Sequence, residues 1–273
     1  MATYHNEYCI SHFRKLESST HISYLCSVIV STVTIMGSGL SQEDLEEKNV
    51  VIIGGGFAGT QLASNLAKEG IPFVLIDPKD HFHYCIGALR AAVYPDFVKN
   101  ILIDYRQTYG DQFIQAKVTL VNFASKKVKL DNEDFVDFTD CVFCVGSQGP
   151  FPGKLGDDVT SMSEATVQYE KFAEELDKAV NVLIVGGGAV GVEMAGEIGE
   201  KYKAKNVILV HGSEELVGSN LGLTFQSAVR HRLDKLNVQL LLGDRVDDVD
   251  TLTLNTFTKQ TVRTQNVSDL IDF

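Results

Sequence analysis

Positive charge is in short supply in this 273-residue chain: 24 Lys and Arg face 36 Asp and Glu, for a net charge of −12. A protein that grips a phosphate backbone would need a local basic patch to offset that deficit. The sequence holds none, so no nucleic-acid partner is expected. Cysteine is sparse as well. Five in this length do not make a disulfide framework, which favours a reducing compartment. A strong membrane-spanning run is also missing. Residues 18–42 carry no Asp, Glu, Lys or Arg and are apolar from Ile22 to Ile35, but serines and threonines dilute them to a weak signal-peptide or membrane signal. What remains is ordinary for a globular protein of about two domains: 44% of the residues are hydrophobic.

Two glycine fingerprints then dominate the reading. Val50-Val51-Ile52-Ile53 runs into Gly54-Gly55-Gly56-Phe57-Ala58-Gly59, and Val182-Leu183-Ile184-Val185 runs into Gly186-Gly187-Gly188-Ala189-Val190-Gly191. Each places Gly-x-Gly-x-x-Gly between a β-branched strand and a helix-compatible stretch. In this pattern the first glycine permits a tight turn, the second lets backbone approach a pyrophosphate, and the third lets helix pack on strand. The helix N-terminus adds unpaired N–H groups and the positive end of a dipole. Two such motifs predict two bound dinucleotides.

The ends of the following strands separate the two sites. Phe73-Val74-Leu75-Ile76 ends at Asp77, placed to hold the adenosine ribose of FAD or NAD and to repel a 2′-phosphate. Val207-Ile208-Leu209-Val210 ends at His211-Gly212-Ser213, with no acid at the place equivalent to Asp77 and no arginine expected nearby to favour a 2′-phosphate. His211 therefore marks a site open to NADH or NADPH, or is simply a strand-end histidine. FAD first and NAD(P)H second implies hydride transfer to a flavin, which carries the redox chemistry.

Two further clusters carry alternatives. Cys141 and Cys144 invite a dithiol reading, but three residues along a strand span roughly 10 Å with side chains on opposite faces, beyond disulfide reach. They read as core cysteines. His81-x-His83-x-Cys85 could imitate a metal site on one strand face, yet it falls in a loop on the flavin side, and no metal is expected. Along the chain, the expected order is an extension (1–48), an FAD-binding domain (49–150), a linker with a helix at 163–178 (151–179) and an NAD(P)H-binding domain (180–273). Strands are expected near 117–121, 126–130, 141–145 and 238–242, with helices at 190–203 and 223–236. Beyond Gly243 the pattern dissolves. Met36-Gly37-Ser38-Gly39-Leu40-Ser41 fits N-myristoylation only if Met36 starts the chain, and Asn266-Val267-Ser268 matches a glycosylation sequon.

Further stretches carry a resemblance: Asp80-His81-Phe82-His83 with Ala88-Leu89-Arg90, Gly149-Pro150-Phe151-Pro152-Gly153-Lys154, Gly191-Val192-Glu193-Met194-Ala195 and Gln239-Leu240-Leu241-Leu242. From about Gly37 to about Gln265 the chain resembles the apoptosis-inducing-factor-like flavoproteins of the ferroptosis suppressor protein type. They are related to type II NADH dehydrogenases and to the glutathione-reductase-like fold. The fold this implies is α/β, with two Rossmann-like dinucleotide-binding domains in an FAD/NAD(P)H flavoprotein arrangement that is incomplete at the C-terminus. By the same resemblance, the loop from Gly54 to Ala58 holds the FAD pyrophosphate, Arg90 and Val118 contact FAD, and Glu193, on the first turn after the second fingerprint, points towards nicotinamide and flavin.

The activity implied is NAD(P)H-dependent reduction of a membrane quinone of the ubiquinone or vitamin K type, whose hydroquinone protects lipids from peroxidation. An acyl anchor would hold the protein on the cytoplasmic face of a lipid droplet, the plasma membrane or the mitochondrial outer membrane. Without it the protein would be cytosolic. The family's return to the FAD domain, with its Gly-Asp strand end, has no counterpart after Leu242, since Gly243-Asp244 comes too early. That absence leaves a second expectation open: a catalytically silent, truncated product that binds nucleotide weakly or acts through partners.

Overall fold

The computed structural model describes residues 47–218, 221–248, 253–255 and 269–272. The apolar stretch at 18–42, the Met36-Gly37 acylation pattern and the Asn266 sequon lie outside the described residues. The first elements are β1 (Val50–Ile53), α1 (Phe57–Lys68), β2 (Phe73–Asp77), β3 (His81–His83), α2 (Ala88–Val93), β4 (Leu102–Asp104) and α3 (Tyr105–Tyr109). Then come β5 (Phe113–Gln115), β6 (Val118–Asn122), β7 (Lys127–Leu130), β8 (Phe135–Asp137), β9 (Asp140–Phe143) and α4 (Met162–Lys178). The last are β10 (Asn181–Val185), α5 (Ala189–Lys201), β11 (Asn206–His211), α6 (Leu223–Lys235), β12 (Val238–Leu242), β13 (Arg245–Asp248), β14 (Thr253–Asn255) and β15 (Asp269–Asp272).

These elements form two compact units. The first takes the described residues up to His83, then Leu102–Gln148 and Asp157–Met162. Its central sheet is parallel, in the order β5-β2-β1-β9. Every residue of β1 is buried, as a β-branched run in the middle of a parallel sheet should be. One face of the sheet meets the antiparallel β6-β7-β8 through Val51, Ile53, Ile76, Val128, Leu130 and Phe138. Helix α1 packs on β1 and β2 through Gly59, Thr60, Leu62, Ala63 and Leu66, spaced at helical period. Each fully buried aliphatic side chain contributes about 1.5–3 kcal/mol. Gly70, at φ +69°, ends the helix, and Ile71 N–H donates back to the Leu66 carbonyl.

The second unit gathers Tyr84–Ile101, Gly149–Gly156 and the described residues from Ser163 onward. Its parallel sheet runs β12-β11-β10-β15. The expected fading of pattern after Gly243 is corrected here. β15 lies parallel to β10 in register Val182↔Asp269 to Val185↔Asp272. A strand of two apolar residues between acids gives little signal in sequence. Helix α2, close in sequence to the first glycine turn, belongs to this second unit and packs on α5. Lys201 Nζ donates to the Val93 carbonyl at 2.7 Å and lies over the Tyr94 ring, tying the C-terminal ends of the two helices together.

The strand expected at 141–145 is observed at Asp140–Phe143, starting one residue earlier and ending two earlier. Cys141 is half-buried against the first unit's core, and burial pushes its thiol pKa up. Cys144 is buried just beyond the strand, and neither cysteine is in a disulfide. Among the described residues no helix is long and apolar enough to cross a membrane.

Candidate functional site

The two strand–turn–helix units share one backbone construction. Gly54 N–H donates to the Ile76 carbonyl at 2.8 Å, and Gly186 N–H donates to the Val210 carbonyl at 2.8 Å. Both glycines stand at positive φ, +102° and +110°, which L side chains rarely adopt. The third glycine of each motif is dictated by the chain itself. A Cβ at Gly59 would lie 1.9 Å from Gly54 O, and one at Gly191 would lie 2.0 Å from Gly186 O. The middle glycines behave differently. At Gly56 and Gly188 a Cβ would meet nothing within 4 Å, so protein packing does not demand glycine there. A ligand brought close to the backbone would demand it.

Both of these open glycines are N-caps. Neither α1 nor α5 has a side-chain cap or an acidic residue in its first turn. First-turn N–H groups cannot bond within a helix, so each N-terminus offers donors and a positive dipole end to phosphate. The remaining glycines, Gly55 and Gly187, touch protein. A Cβ at Gly55 would stand 2.3 Å from Tyr105 Oη, and one at Gly187 would stand 2.7 Å from His211 Cγ.

At the first turn, Asp77 follows Ile76 at the end of β2. Its carboxylate accepts from Gly55 N–H at 2.6 Å and from Lys79 N–H at 2.8 Å. Burial raises its pKa, while those two backbone donors and Lys79 pull it back. Each carboxylate oxygen has two acceptor sites, so capacity remains for ribose hydroxyls. Tyr105 had no signal in the sequence. Its buried hydroxyl donates to the Gly55 carbonyl, and desolvation drives its pKa far up. Gly55 is thus held at both its N–H and its carbonyl. Phe57 and Ala58 open α1 beside this turn, and Val118 opens β6 in the same unit, paired with Leu130.

At the second turn, the matching hydrogen bonds make His211 the structural equivalent of Asp77, since each directly follows the residue whose carbonyl takes the first glycine's N–H. The position carries no fixed negative charge. The expectation that no arginine lies near is corrected: Arg245, at the start of β13, crosses Gly212, where a Cβ would stand 3.1 Å from its Cγ and 3.2 Å from its Nε. No sequence-local rule finds it, because a whole helix and strand intervene.

Arg90 sits on α2 in the second unit and pairs with Glu197 of α5, with Nε 3.0 Å and Nη2 2.9 Å from the same carboxylate oxygen. The structure does not place it in the unit that carries Gly54–Gly59 and Asp77. Glu193 is the fifth residue of α5, in its second turn rather than its first. It lines a cleft between α5 and α6 with Val192, Gly196, Phe225, Val229 and Leu233. Desolvation, then the Glu197 carboxylate, raises its pKa, and Arg90 opposes both.

His81 is fully buried, with Nδ1 2.7 Å from Asp80 Oδ1. Among the described residues no group of three or more His, Cys, Asp or Glu could hold a metal ion.

The residues present therefore fit FAD at the first turn, where an acid ends β2, and NAD(P)H at the second, where none ends β11. Ferroptosis suppressor protein 1 of Xenopus tropicalis is 41% identical over 227 residues, 83% of this chain and 60% of that protein. The Homo sapiens protein of the same name is 38% identical over 222 residues, 81% of this chain and 59% of that one. The chain thus spans about three-fifths of the length of these relatives. In fold it is similar to NDH2 from Plasmodium falciparum, solved in complex with NADH, with a TM-score of 0.58 at 19% identity over 75% of this chain and 49% of that one. A family model described as pyridine nucleotide-disulphide oxidoreductase matches residues 48–270, which extends the likeness past Gln265 into β15. Two nucleotide turns of one construction, on two parallel sheets in one matched span, have a single explanation: the chain belongs to the pyridine nucleotide-disulphide oxidoreductase family.

Proposed function

We propose that this chain is an FAD-dependent NAD(P)H:quinone oxidoreductase working at a membrane surface. One observation carries the reading. Gly56 and Gly188 are the two motif glycines that the protein's own packing leaves free to be anything small, and both cap a helix with no acid in its first turn. When bound, the flavin accepts hydride from NAD(P)H and passes two electrons to an acceptor. The chain's residues bind and orient. The α1 and α5 N-termini take the pyrophosphates, Asp77 takes the FAD ribose, and His211 lies at the other ribose. Glu193 is the candidate to orient the nicotinamide.

The acceptor we assign is a membrane quinone of the ubiquinone or vitamin K type. NAD(P)H supplies two electrons and one proton, solvent supplies the second proton, and hydroquinone and NAD(P)+ leave. The hydroquinone then protects lipids from peroxidation. Similarity to the ferroptosis suppressor proteins supports this assignment. Initiation at Met36 would expose Gly37 for myristoylation, and since one acyl chain binds bilayers only marginally, further contacts would be needed.

A second reading is a catalytically silent nucleotide-binding or interaction protein. It is favoured by β9, an edge strand of its sheet among the described residues, whose last residue Phe143 is 53% exposed and beyond which Val145 is 73% exposed. The deciding experiment is the visible absorption of the purified chain, before and after NADH is added without oxygen. A flavin band that bleaches supports the oxidoreductase. Colourless protein overturns it in favour of the silent reading.

A further inference from the structure

We infer that Arg245 reads the 2′-phosphate of NADPH at the second turn, so that this site prefers the phosphorylated nucleotide. The inference rests on the assignment of that turn to a pyridine nucleotide and adds which nucleotide it selects. In the first unit, the residue after the strand carbonyl that anchors the first glycine is Asp77, a carboxylate that suits a free 2′-hydroxyl and repels a phosphate. The equivalent residue in the second unit is His211. Removing the acid makes a phosphate tolerable, but tolerance is not selection. Selection needs a cation fixed beside the ribose position.

The chain builds one. The corner between β12 and β13 turns at Gly243, at φ +73°, and is stitched to the end of β11 by two backbone bonds. Gly243 N–H donates to the Ser213 carbonyl at 3.3 Å, and Asp244 N–H donates to the His211 carbonyl at 3.1 Å. This fixes the first residue of β13 over the His211-Gly212-Ser213 turn. Arg245 accordingly lies across Gly212, whose missing side chain makes the approach possible. Arg245 is exposed, and among the described residues it makes no ion pair or hydrogen bond, unlike Arg90, Arg230 and Arg232.

Neither of the two described acids flanking this corner forms an ion pair with it. Asp244 is buried, at 1% exposure, and the Glu214 carboxylate is turned to Gly243, where a Cβ would lie 2.7 Å from its Oε1. A planar guanidinium with two N–H edges suits a phosphate monoester, and Ser213 adds a hydroxyl to the same turn. The strand-end acid that normally enforces NADH is absent, and an arginine with no partner among the described residues reaches the same turn from another strand. The geometry therefore favours an added negative charge on the ribose.

The test uses two probes that differ only by the 2′-phosphate, 2′,5′-ADP and 5′-AMP, titrated calorimetrically into the full chain and into the variants R245Q and R245K. The native protein should bind 2′,5′-ADP about tenfold or more tightly than 5′-AMP, as expected for charge-assisted hydrogen bonds, and the ratio should shrink as salt is raised. R245Q should bring the ratio near unity while leaving 5′-AMP affinity and melting temperature unchanged, and R245K should fall between. Binding of 5′-AMP with no preference, or a preference that survives R245Q, overturns the role of Arg245 and leaves the nucleotide site standing. If neither probe binds, the assignment of the second turn fails and the inference falls with it.

Discussion

Gly55 donates its N–H to the Asp77 carboxylate over 2.6 Å, so the residue that should hold the FAD ribose also fixes the loop that should hold the pyrophosphate. The second carboxylate oxygen accepts from Lys79 N–H at 2.8 Å. Asparagine has one acceptor oxygen where two are used, and alanine has none. Asp77→Ala should therefore lower the stability of the cofactor-free protein by about 1–3 kcal/mol, the cost of an unsatisfied buried donor, and abolish FAD retention. Asp77→Asn should fall between. Denaturant unfolding and flavin content of the purified variants check both parts. Full flavin content in Asp77→Ala would remove Asp77 from the site.

Gly56 and Gly59 lie three residues apart and should respond to alanine in opposite ways. Gly56 sits at φ −68° and ψ −164°, which alanine adopts freely, and its Cβ would meet open space. Gly56→Ala should change cofactor-free stability by less than about 1 kcal/mol while weakening FAD binding. A Cβ at Gly59 would lie 1.9 Å from a backbone oxygen that cannot move aside, so Gly59→Ala should unfold or severely destabilise the first unit. Melting curves taken without cofactor, followed by FAD titration, separate the two. Equal destabilisation by both would mean that the glycines serve folding alone.

His81 sets an acid limit on stability. Its side chain is fully buried, Nδ1 bonds Asp80 Oδ1, and Nε2 has no partner among the described residues. Desolvation lowers its pKa below the ordinary 6.5, and Lys79 adds to that, while Asp80 and Asp77 pull the other way. A histidine depressed in the folded state binds its proton more readily when unfolded. Its contribution to stability is therefore intact above the ordinary value and is lost as pH falls through the folded one. The unfolding free energy of the native chain minus that of His81→Asn should decline on acidification below about pH 6.5. A difference that stays flat from pH 7 to pH 5 would sink this account.

How much of this was legible in the sequence depends on how far apart the interacting residues stand. Gly54, Gly56 and Gly59, with Asp77 at the end of the next strand, follow from local turn chemistry and one βαβ span, and so do Gly186, Gly188, Gly191 and His211. Tyr105 was not legible, because a tyrosine that bonds Gly55 from 50 positions away leaves no local pattern. Arg245 escaped for the same reason and reversed one conclusion drawn from the residues next to His211. The pairing of Arg90 with Glu197, 107 positions apart, is a product of α2 packing on α5 in the second unit. Glu193 shows a smaller effect: α5 starts at Ala189, one residue before the expected 190, which makes Glu193 its fifth residue and carries it into the second turn.

That shift bears on what Glu193 does. In a first turn, a glutamate stabilises the helix dipole and needs no other purpose. In the second turn that benefit fades, while the cost remains, since desolvation and the neighbouring Glu197 both raise its pKa. On the proposed reading, a carboxylate in such a place, on the helix that the second fingerprint opens, serves the nicotinamide. Glu193→Gln keeps the shape and removes the charge, so it should leave stability unchanged or slightly higher. It should weaken NADH binding by about tenfold, as for a lost hydrogen bond to a charged group. Glu197→Gln is the control: it breaks the Arg90 pair, which is exposed on the arginine side and worth at most about 1 kcal/mol, and should leave NADH affinity unchanged. Fluorescence titration of NADH into each variant reads affinity without turnover. If Glu193→Gln binds NADH as the native chain does, Glu193 has no place at the nicotinamide, and the raised pKa reflects nothing more than crowding along α5.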